Sequence, residues 1–107
     1  MAYHPLEKLL NLHDGYRKSF TVAGRSLLLL QQQSEVYLIA NVCPHMGAPL
    51  SNAQLLENSV IRCKAHGIEF ELASGRALGP LAAVMQCLRK YPVAYEGNTV
   101  GVDTQHL

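Results

Sequence analysis

The chain has 107 residues, 49% of them apolar and 16% charged, the balance of a single folded domain over 1–107 rather than of a disordered or membrane-embedded segment. A formal charge of +1 with no long block of like charge argues against the concentrated basic face that a nucleic-acid binder needs.

At the start, Met1-Ala2-Tyr3-His4-Pro5 has no apolar stretch behind a basic one, so no secretory leader is expected. Residues 5–15 carry Leu6, Leu9, Leu10 and Leu12 and read as either a short helix or an irregular lead-in. From residue 18 the pattern is one of short strands. Residues 19–22 run into the turn signal Ala23-Gly24, then into strand-like residues 25–31. Polar residues 32–35 make the next turn, and Val36-Tyr37-Leu38-Ile39-Ala40 reads as a buried strand. The most apolar run, residues 27–30, is far too short to cross a bilayer, so a soluble, cytoplasmic protein with no membrane association is expected.

Residues 41–49 are loop-like, with Pro44, Gly47 and Pro49. Residues 50–58 have room for a helical turn ahead of a short strand at 59–62. A turn at 64–67 precedes Ile68-Glu69-Phe70-Glu71-Leu72, whose strict alternation predicts a half-exposed strand. Ala73-Ser74-Gly75 turns the chain again, and Gly79-Pro80 opens a long apolar connection. Residues 88–95 and 99–103 form a predicted hairpin around Glu96-Gly97-Asn98. Many short strands with Gly/Pro turns and no long amphipathic helix predict an all-β sandwich or small barrel.

The chemistry concentrates in two pairs. Cys43-Pro44-His45 and Cys63-Lys64-Ala65-His66 are separated by seventeen residues and sit at the tips of two β-loops, about 41–50 and 62–70. In a reducing compartment the chain's three cysteines are not expected to form structural disulfides. Two thiolates and two imidazoles suit either zinc or a mixed-ligand iron–sulfur cluster. The latter needs the loops side by side, each giving one ligand to each iron. Cys87 has no histidine beside it and is expected as a small apolar filler near the start of a strand. His4, His13 and His106 are expected at the surface. Met46 is either a contact for a partner or packed within its loop.

The run Asn41-Val42-Cys43-Pro44-His45-Met46-Gly47-Ala48-Pro49-Leu50, then Cys63-Lys64-Ala65-His66-Gly67-Ile68-Glu69-Phe70, Ser74-Gly75-Arg76, Gly79-Pro80 and Leu88-Arg89-Lys90-Tyr91-Pro92-Val93 resembles the Rieske family along nearly the whole chain. The resemblance implies an antiparallel β-sandwich or small barrel carrying a cluster-binding subdomain of two ligand loops. It also implies one 2Fe-2S cluster per chain, held by Cys43, His45, Cys63 and His66, with Gly79-Pro80 in a third, shielding loop. Gly47 and Gly67 are expected to allow tight turns that point amides at the cluster sulfurs.

Rieske proteins of membrane-bound cytochrome complexes have a further cysteine in each loop, joined as a disulfide. Ala48 and Ala65 stand at those positions here. Ile68 and Phe70 replace the serine and tyrosine whose hydroxyls serve the cluster in that branch. The resemblance is therefore to soluble ferredoxins, and it implies an electron carrier, not an enzyme, that links a ferredoxin reductase to a terminal oxygenase. The chain is too short for the mononuclear-iron domain of an oxygenase. Without those hydroxyls the expected reduction potential lies toward the low end of the roughly −150 to +300 mV Rieske range. A Rieske-like small subunit of a nitrite reductase is the alternative, although members of that group commonly lack the ligands. A zinc-binding Cys/His module is a further one.

Overall fold

The computed structural model describes residues 2–44, 49–63, 67–79 and 87–107. Within them the chain runs through β1 (Tyr3–Lys8), β2 (Arg17–Val22), β3 (Arg25–Gln32), β4 (Glu35–Ala40), β5 (Gln54–Leu56), β6 (Val60–Arg62), β7 (Glu69–Glu71), β8 (Lys90–Tyr91), β9 (Ala94–Glu96) and β10 (Thr99–Asp103). Single 3-10 turns occupy Leu9–Asn11 and Thr104–His106. The strands form three antiparallel sheets, in the orders β1-β10-β9, β2-β3-β4-β8 and β5-β6-β7. The all-β expectation holds.

The four consecutive leucines of β3 explain how the sheets are layered. A half-exposed strand would alternate, but Leu27, Leu28, Leu29 and Leu30 are all fully buried, so both faces of the central sheet are covered. Leu27 and Leu29 point into a base core with Val22, Leu38, Tyr91, Val100 and Val102. Leu28 and Leu30 point the other way, into a second core with Ile39, Ile61, Phe70, Leu72 and both Cys43 and Cys63. The period of two therefore persists in β3, divided between two cores. Its second face is what supports the ligand loops.

Two tight hairpins hold the central sheet. The β3–β4 turn places Gln33 and Ser34 at φ +51° and +64°, the twist-matched geometry of a two-residue loop but one that L residues resist. Asp14 offsets this by accepting from the Ser34 amide (2.8 Å) and from Gln31 Nε2 (3.0 Å). The Gln31 bond, then the Ser34 bond, lowers the Asp14 pKa below its usual value.

Three sequence expectations are corrected. Residues 3–8 are a strand, because β10 supplies a pairing edge and Leu6 packs on the base core. Residues 50–58 hold no helix, only a turn closed by Ala53 N to Leu50 O at 3.0 Å and the β5–β6 turn at 57–58. Between these turns Gln54–Leu56 pairs with β6 instead of continuing as a helix. The expected single strand at 88–95 is divided at Pro92-Val93: β8 pairs with β4, whereas β9 crosses to β10. Pro92 has no N–H to give a ladder.

Candidate functional site

Each ligand loop leaves the central structure through a hydrogen-bonded clamp. The first loop, 41–50, follows β4. Its base is fixed by Asn41, whose amide donates to Ser26 O (3.0 Å) and whose Oδ1 accepts from the Leu50 amide (2.8 Å). The side chain thus joins both ends of the loop, and the backbone N–H, with Nδ2 donating to Ser26 Oγ (3.2 Å), anchors them to β3. Asn41 received no role from the sequence; a short amide side chain opening a Pro/Gly-rich loop is the signal that marks it.

The second loop joins β6 to β7. Cys63 N donates to Ile68 O (2.9 Å) and Gly67 N donates to Cys63 O (2.8 Å). Gly67 has φ +67°, so the turn favours glycine for its backbone; a Cβ there would stand 3.2 Å from Arg62 Nη2, at the movable end of an exposed side chain. The tight turn was foreseen. The Gly67 amide itself is committed to the Cys63 carbonyl, and the amides of residues 64–66 and of Gly47 lie outside the described residues.

The third connection is closed where Leu88 N donates to Gly75 O (2.6 Å), while Gly75 N donates to Glu71 O (2.6 Å). The isolated bridge Phe70↔Ala77 and Leu78 N to Glu69 O (2.8 Å) lay this segment along β7. Pro80 lies outside the described residues.

These clamps bring Cys43 and Cys63 into one apolar core, each only 1% exposed and neither in a disulfide. Two buried cysteines in one core, neither joined in a disulfide, suit a soft, thiolate-ligated centre shielded from water. This donor chemistry fits the thiolate half of a mixed-ligand 2Fe-2S group. His45 and His66 lie outside the described residues, as do Met46, Gly47, Ala48 and Ala65. Among the described residues no three His, Cys, Asp or Glu side chains converge on a metal position.

Phe70 is fully buried and Ile68 packs against the same core, so this wall of the site carries no hydroxyl. Val42, next to Cys43, is 42% exposed and gives the site an apolar patch at the surface. Cys87 is exposed, which corrects the expectation of a core filler. It lies just ahead of β8, near the start of a strand as expected, but Leu88 takes the buried position. His4, His13 and His106 are exposed, as expected. The resolved pKa shifts fall outside the loops. Glu7 is held down to about 2 by bonds from Asn11, Tyr16 and the Lys8 amide. Burial, then the Glu7 bond, pushes the Tyr16 phenol up.

No helix among the described residues is long and apolar enough to cross a membrane. The fold and the paired loops have counterparts in known proteins. The chain is 30% identical over 97 residues to the ferredoxin component of the alkene monooxygenase system of Xanthobacter autotrophicus, covering 91% of this chain and 77% of that protein. It is 36% identical over 95 residues to the ferredoxin component of the naphthalene 1,2-dioxygenase system of Pseudomonas aeruginosa, covering 89% and 88%. The ferredoxin of carbazole 1,9a-dioxygenase from Nocardioides aromaticivorans superposes with a TM-score of 0.82 over 95% of this chain and 97% of that one, at 24% identity, a likeness of fold. The profile of the Rieske [2Fe-2S] domain matches residues 3–92, and the chain belongs to the Rieske [2Fe-2S] domain family.

Proposed function

We propose that this protein is the ferredoxin of an oxygenase system: it takes single electrons from a ferredoxin reductase and delivers them to a terminal oxygenase, transforming no substrate itself. The observation that carries this reading is the pair of buried, clamped cysteines within a chain that matches oxygenase ferredoxins over 89–91% of its length. Cys43 and Cys63 would hold one iron of the cluster, and His45 and His66 the other. The cluster supplies a one-electron store. The chain's own residues exclude water from the thiolate side, through Leu28, Ile61 and Phe70, and hold the loops in register through Asn41 and Gly75. Residues 1–107 act as one Rieske domain, and the cytoplasm is its compartment.

Purification under anaerobic conditions with iron and sulfide supplied tests the ligand set. The expected product contains iron and acid-labile sulfide in equal amounts and shows the visible spectrum and EPR signal of a mixed-ligand cluster. Cys43→Ala, His45→Ala, Cys63→Ala and His66→Ala each abolish that signal. A colourless zinc protein refutes the assignment. Electron transfer from the reduced protein to a terminal oxygenase encoded beside it tests the carrier role. Tight, stoichiometric co-purification with a reductase catalytic subunit, without such transfer, refutes it.

A further inference from the structure

The overall charge is near zero, but its placement is not even. The sequence has no Asp or Glu in residues 36–56 and none in 72–95, the stretches that include the first ligand loop and the third connection. Cations gather at the same end of the fold. Arg25 closes the β2–β3 hairpin, and its neighbour Ser26 receives the Asn41 amide at the root of the first loop. Arg89 O accepts from Ala40 N (2.8 Å), which sets Arg89 beside the last residue before that loop, with its guanidinium 5.8 Å from the Tyr91 ring centre. Arg62 immediately precedes Cys63 and lies against Gly67. All three arginines are exposed. Glu69 stands opposite Arg62 in the β6–β7 ladder.

The other end of β3 and β4, about 25 Å away by strand rise, carries the opposite sign. Asp14 caps the β3–β4 turn, Glu35 begins β4, and Glu57 sits in the β5–β6 turn, near the Ser59–Gln33 contact. Arg17, which donates to Ala53 O, offsets one of these carboxylates. A cluster held by two thiolates and two neutral imidazoles is uncharged when oxidised and singly negative when reduced, so it does not cancel the three guanidinium groups.

We infer that the ligand-loop end is a basic docking face, with exposed Val42 at its centre and Arg25, Arg62 and Arg89 around it, and that the redox partner it fits presents a carboxylate-rich surface. An apolar centre with a charged rim is the ordinary anatomy of a transient interface, and a charge dipole along β3 orients the encounter. The identity of the partner rests on the carrier reading above. The charge of the face does not.

Two measurements separate these. In the first, the reduced holo-protein gives one electron to ferricyanide, which becomes ferrocyanide, or to the cationic tris(phenanthroline)cobalt(III), which becomes cobalt(II). Reoxidation by ferricyanide is expected to slow as salt is added, and reoxidation by the cobalt complex to quicken. The double variant Arg25→Gln/Arg89→Gln, which leaves Arg62 beside Cys63 untouched, is expected to cut the ferricyanide rate about tenfold at low ionic strength. Its visible spectrum and potential should stay those of the parent. Lys8→Gln/Lys18→Gln removes the same charge from the base and is expected to change the rate far less. Equal effects of the two double variants, or a ferricyanide rate that rises with salt, overturn the inference. In the second measurement, transfer to the terminal oxygenase is expected to fall with salt and to fall in the Arg25→Gln/Arg89→Gln variant. Salt-independent or salt-enhanced transfer overturns the acidic partner. Failure to reduce the oxygenase at all, with the small-complex selectivity intact, refutes the carrier reading while upholding the basic face.

Discussion

Gly75 is the residue whose replacement tests most directly how the loops are held. Its φ is +79°, its N–H and C=O bond Glu71 and Leu88, and a Cβ built on it would stand 2.8 Å from Leu88 O and 3.3 Å from Lys90 Cδ. Gly75→Ala therefore meets two separate penalties. The left-handed backbone costs a residue with a Cβ about 1–2 kcal/mol. The clash is with main chain, so Leu88 must withdraw, and the bond it makes to Gly75 O is weakened or lost, at about 1 kcal/mol more. The sum, about 2–3 kcal/mol, is a large share of the 5–15 kcal/mol typical of a domain this size. It corresponds to a fall in melting temperature of about 8–18 °C. Gly24→Ala is the matched control, since Gly24 has φ +76° but nothing within 4 Å of its Cβ position, leaving only the backbone term. Denaturant titration of both holo-proteins gives the comparison, and bleaching of the visible absorbance at fixed temperature reports cluster retention. Gly75→Ala should lose at least about 1 kcal/mol more than Gly24→Ala and bleach faster, because Leu88, which bonds Gly75, packs in the core that holds Cys43 and Cys63. Equal losses in the two variants would refute the close-approach reasoning.

Asn41→Ala leaves the Leu50 amide without its partner and is expected to cost about 1–3 kcal/mol; cluster loss should accelerate, and Asn41→Asp, which keeps an acceptor oxygen, should restore most of the lifetime. Ile68→Ser/Phe70→Tyr puts hydroxyl donors on the bare wall of the site and is expected to raise the potential, measured by visible-monitored redox titration; a parent protein already near the upper end of the about −150 to +300 mV range contradicts the premise. Glu7 has a folded-state pKa of about 2 against an ordinary 4.5, so its stabilisation is complete above the ordinary value and is lost as pH falls from there toward 2. The denaturation midpoint of Glu7→Gln should accordingly decline less than that of the parent between pH 5 and pH 2, and parallel declines would remove Glu7 as a cause.

What the sequence made legible, and what it hid, divides by the range of the interaction. The thiolate and imidazole pairs, the alternation at 68–72 and the Ala23-Gly24 turn are local patterns, each carried by residues within a few positions of one another. Residues 54–56 show the opposite case. Gln54-Leu55-Leu56 has no strand signature of its own, and it is a strand because Arg62, Ile61 and Val60 lie across from it. Likewise residues 3–8 become a strand only when β10, nearly the whole chain away, offers an edge. The leucines of β3 were legible as part of a strand, yet nothing in four like residues says that both faces are buried or that alternate ones serve different cores.

The same division accounts for the site. Cys43 and Cys63 are recognisable because their chemistry and spacing are written beside them, and the structure adds that both are buried in one core. The residues that make that core a site were silent. Asn41 reaches across nine positions to Leu50 and Gly75 across thirteen to Leu88. In sequence each is an ordinary turn former, and only the folded backbone assigns the bond it completes. Charge behaves in the same way. A net charge of +1 reads as featureless, and becomes a dipole only when antiparallel pairing sets Arg25 beside Asn41 and carries Glu35 to the opposite end of the same two strands. Because ligand chemistry is local and its support is not, a chain can keep every ligand and still lose the cluster through a residue such as Gly75 that is not one of them.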